Sequence, residues 1–106
     1  MNLGQETRKE HSVKIRRLVL DVDKAVSRPS LVELAAAIER VEGVQGLNIT
    51  VTEIDIETVG MDVTVEGDGI DYPGLCKAIE ATGAVVHSVD ELAAGNRLVD
   101  WVKRRR

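Results

Sequence analysis

The chain is poor in the residues that several common activities require. It has no phenylalanine, one tyrosine, one tryptophan and one cysteine among 106 residues. Modules that bind single-stranded RNA stack bases on aromatic rings, and neither Tyr72 nor Trp101 falls on a predicted central strand. The lone Cys76 excludes an internal disulfide and a cysteine-only zinc site, and it leaves no cysteine pair for a copper chaperone. These absences argue against three classes of function.

Long apolar runs and an excess of positive charge are also lacking. No apolar run approaches the roughly 20 residues that a membrane-spanning helix needs, and no hydrophobic secretory region follows Met1. The formal net charge of -4 disfavours a general nucleic-acid binder, although Lys103 begins a run of four basic residues. We therefore expect a cytoplasmic protein that acts neither in a membrane nor on nucleic acid.

What the chain does have is an internal repeat. Leu34-Ala35-Ala36-Ala37-Ile38-Glu39 returns as Leu75-Cys76-Lys77-Ala78-Ile79-Glu80, and each copy leads to a glycine and a β-branched stretch. Self-similarity of this kind indicates one strand-helix-strand unit used twice. With 43% apolar and 30% charged residues, a chain of this length suits one domain with a modest core.

Periodicity and capping residues place the elements of the first half. A dense apolar run over residues 13–22 predicts a central strand. The capping box Ser30-x-x-Glu33 predicts the start of a helix, which Gly43 ends. The stretch 47–65 then predicts a hairpin with its loop at 57–60 and a β-bulge near Thr52-Glu53.

The second half repeats the helix and the strand. Asp71 is placed to cap a helix that ends at Gly83, and residues 84–89 predict a fourth strand. The order βαββαβ predicts an α+β, ferredoxin-like sandwich with an antiparallel sheet in the order 4-1-3-2 and both helices on one face. We assign residues 13–95 to this domain, 1–12 to a flexible leader, and 96–106 to an arm or short helix with a basic tail.

This fold leaves one sheet face and two edge strands uncovered. Strands two and four are rich in valine and isoleucine, and unpaired backbone groups on such edges recruit other chains. Joining unlike edges head to tail generates a ring when the rotation closes. We therefore expect the subunits to associate by these edges or by the open face, as a cyclic homo-oligomer.

Four motifs in matching order point to a family. They are Arg17-Leu18-Val19-Leu20-Asp21, Gly46-Leu47-Asn48-Ile49-Thr50, Glu53-Ile54-Asp55 with Thr58 after it, and His87-Ser88-Val89-Asp90-Glu91-Leu92-Ala93-Ala94-Gly95. Over about residues 13–95 the chain resembles a small archaeal family, the domain of unknown function numbered two hundred and eleven. The resemblance implies ring-forming ferredoxin-like proteins with no established activity, and it suggests that divalent cations bind.

The chain departs from that family at two points. Relatives tend to carry Lys-Pro where this chain reads Asp23-Lys24-Ala25, and they often have a basic residue where Asp62 stands. A metal role for Asp62 is therefore not borrowed from them.

The acidic hairpin is the candidate metal site. The predicted register sets Asp55 opposite Asp62, with Glu53 nearby, and two like charges in that position need a cation or an arginine between them. Oxygen ligands without cysteine suit Ca²⁺ or Mg²⁺. We predict Glu53, Asp55 and Asp62 as metal ligands; the alternative is a solvated acidic edge that discourages misassociation.

The segment His87-Ser88-x-Asp90-Glu91 holds a base, a hydroxyl and two acids. On a regular strand His87 and Ser88 point to opposite faces and cannot form a nucleophile-base pair. We expect His87 to be a hydrogen-bonded structural residue at a sheet face or a subunit contact. Asp90 and Glu91 cap the following segment or contact a neighbouring subunit. For Arg17 we expect pairing with acids across an interface; the alternative is an anion site.

The expected function follows from these residues. Since no two catalytic groups fall together, we expect a non-enzymatic homo-oligomer that acts through its subunit interfaces. The alternative is a regulatory module that binds a small metabolite or a divalent cation between subunits.

Overall fold

Four strands and two helices alternate as the sequence predicts. The computed structural model describes residues 13–104, so the expected leader lies outside the described residues. The elements are β1 (Ile15–Ala25), α1 (Leu31–Glu39), β2 (Val44–Ile54), β3 (Thr58–Gly67), α2 (Tyr72–Ala81) and β4 (Val85–Ala94). The sheet is antiparallel with the order β2-β3-β1-β4. The predicted ferredoxin-like sandwich is confirmed.

Strand β1 lies at the centre of the sheet and alternates between core and open face. Leu18, Leu20 and Val22 are fully buried, whereas Asp21 and Asp23 lie on the other side. The strand runs three residues beyond the predicted end because it pairs with β3 as far as Ala25. The polar residues in this extension are tolerated because Asp23 reaches the open face. Lys24 Nζ donates hydrogen bonds to the backbone carbonyl oxygens of Ala25 and Val26, both at 3.1 Å.

The two copies of the repeat form the two helices. Leu34 and Leu75 are fully buried, and so are Ile38 and Ile79, which hold the matching positions one turn later. Both helices pack on the same core cluster as the inward residues of β1 and β3. Equal burial at equivalent positions supports the duplicated unit inferred from the sequence.

The predicted caps are confirmed at both helix starts. The Glu33 N–H donates to Ser30 Oγ at 3.1 Å, and the Ser30 N–H donates to the Glu33 carboxylate at 2.8 Å. Asp71 accepts a hydrogen bond from the Gly74 N–H at 3.1 Å. These bonds satisfy amides that the first helical turn cannot pair internally.

Gly43 does not end α1 directly, since the helix stops at Glu39 with Arg40 as its C-cap. Gly43 instead turns the chain into β2 with a positive φ of 90°. A side chain there would also collide with the backbone of Gly69. Glycine is therefore required for both conformation and space.

The hairpin register differs from the predicted one. Asp62 lies opposite Thr50 rather than Asp55, and Met61 lies opposite Val51 rather than Ile56. The loop is residues 55–57, closed by an Asp55 N–H bond to the Thr58 carbonyl oxygen at 2.8 Å. The predicted β-bulge is confirmed, because the register shifts between Val51 and Glu53.

Strand β4 is longer than predicted, and the chain after it is irregular. It pairs with β1 as far as Ala94, and residues 96–104 form neither helix nor strand. Neither helix in residues 13–104 is long and apolar enough to cross a membrane. Strands β2 and β4 are the two edges of the sheet.

Leu20→Ala tests the single core. Leu20 is fully buried at the centre of the sheet, so its truncation leaves a cavity and is expected to lower the free energy of unfolding by about 2–5 kcal/mol. Val32→Ala on the outer surface of α1, where the valine is 78% exposed, should change it by less than about 0.5 kcal/mol. Urea denaturation of both variants measures the difference; equal effects would contradict the assigned core.

Glu33→Gln tests the capping box through its pH dependence. The Ser30 backbone N–H, and then its hydroxyl, hold the pKa of the Glu33 carboxyl below its ordinary value. Its stabilising contribution is therefore complete above the unfolded-state pKa and is lost as the pH falls through the folded-state pKa. Urea denaturation should show wild type more stable than Glu33→Gln at neutral pH, with the gap closing in acid.

Glu57→Gln is the matched control for this cap, because Glu57 is exposed in the hairpin loop. The same titration of this variant should show no comparable closing gap. A gap between wild type and Glu33→Gln that stays constant from neutral to acid pH would contradict a charged cap.

Candidate functional site

An acidic cleft lies on the sheet face that the helices leave open. Its volume is about 450 Å³ and it opens broadly to solvent. Its lining comes from all four strands: Asp21, Asp23, Thr52, Glu53, Gly60, Asp62, His87 and Asp90. Five of these residues are carboxylic acids, and no lysine or arginine of the described chain lines the cleft.

The central strands supply the floor of the cleft. Asp21 lies opposite Asp62 on the neighbouring strand, and Asp62 lies opposite Thr50 on the next one. Gly60 lies between Asp23 and Glu53 in the same way. Because Gly60 has no side chain, the space between those two acids stays open. The period of two along each strand therefore gathers acids of three strands on one face.

Two β-bulges in β4 supply the wall. Val86 pairs with Val22 and Ser88 pairs with Asp21, so His87 between them has no partner on β1. In the same way Val89 pairs with Leu20 and Glu91 with Val19, which leaves Asp90 without a partner on β1. The extra residues reach the cleft, where His87 Nε2 lies 2.8 Å from Asp23 Oδ2. Ser88 Oγ donates to Asp90 Oδ1 at 2.7 Å. The expectation of a regular strand at His87-Ser88 is therefore wrong, since a bulge breaks the alternation.

The predicted metal ligands are only partly brought together. Glu53 and Asp62 both line the cleft, whereas Asp55 lies in the hairpin loop and accepts a bond from the Ile56 N–H at 2.7 Å. Within residues 13–104 no group of three or more histidine, cysteine, aspartate or glutamate side chains has the geometry to hold a metal ion. The pairing of Asp55 with Asp62 is wrong; Glu53 and Asp62 as ligands stay a prediction.

Sequence reasoning missed Asp21 and Asp23, which complete the cleft. A signal was present, because both alternate with the fully buried residues Leu20 and Val22 along β1. An apolar run read as a strand covered on most sides conceals this alternation. The pair Asp21 and Asp62 is the cross-strand juxtaposition of like charges that was expected at Asp55.

Arg17 forms a separate cluster at the other end of the open face. Its Nε lies 2.8 Å from Glu66 Oε2, and its Nη1 lies 3.2 Å from Glu91 Oε2 and 2.8 Å from Asp100 Oδ1. Asp100, then Glu66 and Glu91, raise the pKa of the Arg17 guanidinium above its ordinary value. All three acids belong to the same chain as Arg17, so these ion pairs are intramolecular.

The Arg17 cluster also fixes the segment after β4. Asp100 is tied to Arg17, and Arg16 Nη1 donates to the Asn96 carbonyl oxygen at 3.2 Å. Asn96 and Asp100 are thereby tied to side chains of β1. No pattern in the sequence marks Asp100 as a partner of Arg17, because 83 residues separate them.

Two comparisons with known proteins agree on the family. The family DUF211, described as uncharacterized ArCR, matches residues 16–106. An uncharacterized protein of Methanocaldococcus jannaschii is 38% identical over 89 residues, which cover 84% of this chain and 91% of the relative. The resemblance inferred from the motifs is confirmed: the chain belongs to the DUF211 family.

Proposed function

We propose that the protein is a non-enzymatic homo-oligomer whose subunits join head to tail through β2 and β4 into a closed ring. The observation that carries this proposal is the pair of free sheet edges: within residues 13–104 no strand pairs with the outer side of either β2 or β4. Unpaired N–H and C=O groups along a strand are a template for pairing with another chain.

The exposed side chains along these edges support the proposal. Ile54 on β2 is 75% exposed and Leu92 on β4 is 54% exposed; Val51 and Val89 are exposed as well. All four share the face of the core but lie at its border, since their partners across the sheet are core residues. Covering them removes apolar surface from water, which favours association.

The two edges belong to different strands, and this decides the kind of assembly. When β2 of one subunit meets β4 of the next, each subunit keeps one free edge, so the contact repeats. The repetition ends only when the ring closes. Ring closure leaves every subunit in the same environment and removes the last free edges.

A binding role fits the open face better than catalysis. Ser88 Oγ donates to Asp90 rather than to His87, and Thr52 Oγ1 donates to the Gly60 carbonyl oxygen. Neither of these two hydroxyls donates to the His87 imidazole, as an activated nucleophile would. We therefore propose that the assembled faces bind partners and carry out no reaction.

Lysine substitutions at the edges test the assembly. Light scattering coupled to size-exclusion chromatography should give wild type a mass that is a fixed multiple of the chain mass. Ile54→Lys and Val89→Lys, one on each edge, should each lower this mass at equal concentration, because a charge buried in the contact lacks a partner. Val32→Lys, on the outer surface of α1, is the matched control and should keep the wild-type mass.

Two results would overturn the ring. One is a wild-type protein that stays monomeric at micromolar concentration. The other is an assembly whose mass survives both edge substitutions.

A second candidate, a module regulated by a divalent cation, is favoured by the acid pair Asp21 and Asp62. Like charges directly opposite in a sheet are destabilising, and a bound cation relieves that repulsion. Oxygen ligands of this kind suit Ca²⁺ or Mg²⁺. Binding at a face near a subunit contact would couple cation concentration to assembly.

Asp62→Asn tests this candidate. Without added cation the variant should be more stable than wild type by about 0.2–1 kcal/mol, because it removes the repulsion from Asp21. Millimolar Ca²⁺ or Mg²⁺ should raise the melting temperature of wild type and raise that of Asp62→Asn less. Asp55→Asn is the control outside the cleft; equal shifts in all three proteins would exclude a cation site at Asp62.

A further inference from the structure

The segment of residues 96–104, here the C-terminal arm, is anchored at its start and exposed at its end. Asp100 binds Arg17 at 2.8 Å, whereas Trp101 is 76% exposed and Val102 79% exposed. Lys103 and Arg104 are exposed, and neither forms an ion pair with any residue in the described range. The end of the arm thus combines apolar surface with positive charge, and the described chain covers neither.

The overall dimensions fit a segment that extends away from the sandwich. The radius of gyration is 15.2 Å, whereas a globular domain of this size has about 12–13 Å. The longest extent is 51 Å, against roughly 36 Å for an 11-residue strand. Both dimensions allow for a segment that extends beyond the two-layer sandwich.

The acidic cleft has the complementary charge. It presents five carboxylic acids, with one imidazole as its basic group. The arm brings Lys103 and Arg104, and the sequence continues with two more arginines. Arginine pairs well with carboxylates because its planar fork donates two parallel hydrogen bonds.

The arm is long enough to reach the acidic cleft of its own subunit. Asp21 lies four residues along β1 from Arg17, or about 13 Å, and Arg104 lies four residues beyond Asp100, at most about 14 Å. Yet Lys103 and Arg104 make no ion pair with that cleft. Trp101 and Val102 also expose apolar surface that the described chain leaves uncovered, and docking against a second subunit would remove part of it from water.

We propose that the C-terminal arm of one subunit docks on the open sheet face of a neighbouring subunit, with Lys103 and Arg104 in the acidic cleft. The occupant of the cleft is thus a second copy of this chain. This inference rests on the proposed assembly and specifies one contact between its subunits. The Arg17–Asp100 ion pair sets the direction in which the arm leaves the sheet, and the positive charges of Lys103 and Arg104 favour binding to the acidic cleft.

Disulfide trapping tests the contact. In a Cys76→Ser background, Lys103→Cys and Asp62→Cys are placed in the same chain, and mild oxidation is followed by a non-reducing gel. Docking between subunits predicts a ladder of covalent dimers and larger multimers. A matched chain with Lys103→Cys and Val32→Cys, which puts the second thiol on the outer surface of α1, should give no ladder.

Removal of residues 103–106 is the second measurement. The shortened chain keeps the Arg17–Asp100 pair and the whole sandwich, so it should fold as wild type does. Several exposed ion pairs are lost, and the concentration at which the assembly dissociates should rise on the order of tenfold at low salt. The difference should shrink at high salt because ions screen exposed charges.

The outcomes separate this proposal from the ring itself. A wild-type monomer in solution overturns both. An assembly that forms while the Lys103→Cys and Asp62→Cys chain gives no ladder overturns only the docked arm. An internal disulfide in a chain of monomer mass also overturns it, since it shows the arm in its own cleft.

Discussion

The helices cover one face of the sheet and leave the other open in the part of the chain that the structure describes, and this constraint shapes the rest of the molecule. The helices pack Leu34, Ile38, Leu75 and Ile79 on the inward residues of β1 and β3. A chain of 106 residues without phenylalanine builds one such layer and no second. Polar and acidic residues accordingly occupy the other face, and within the described range of 13–104 the outer strands have no strand beyond them.

The open face acquires its chemistry from departures from regular pairing. In a uniform ladder, residues 87 and 88 would lie on opposite sides of β4. The bulges at His87 and Asp90 remove that alternation and bring both side chains to the acids of β1 and β3. A third shift, at Thr52, brings Glu53 to the same cleft. The edges of the sheet are where such extra residues are best tolerated.

The open face has two charged regions, which differ in whether acidic and basic groups are paired. At one end Arg17 is surrounded by Glu66, Glu91 and Asp100, so positive and negative charges are matched. At the other end the acids outnumber the basic groups, and among the described residues Asp23 alone has a basic partner, His87. The matched end fixes the course of the chain after β4, while the unmatched end keeps an excess of carboxylates over basic groups. The proposed docking of the arm joins these two regions across a subunit boundary.

The sequence by itself determined the elements, the helix caps, the duplicated helices and the bulge at Thr52. Each of these depends on contacts within a few residues, or on a pattern of buried side chains that appears as apolar periodicity along the chain. The capping box at Ser30 and the burial of Leu75 are of this kind. Only the tertiary structure decided the hairpin register, the bulges of β4 and the membership of the acidic cleft. Several strand registers satisfy the same apolar alternation, since Ile54 and Ile56 fit it equally well. The residues opposite Asp62 depend on which register the neighbouring strands adopt. The ion pair of Arg17 with Asp100 spans 83 residues, a separation over which no local pattern carries information.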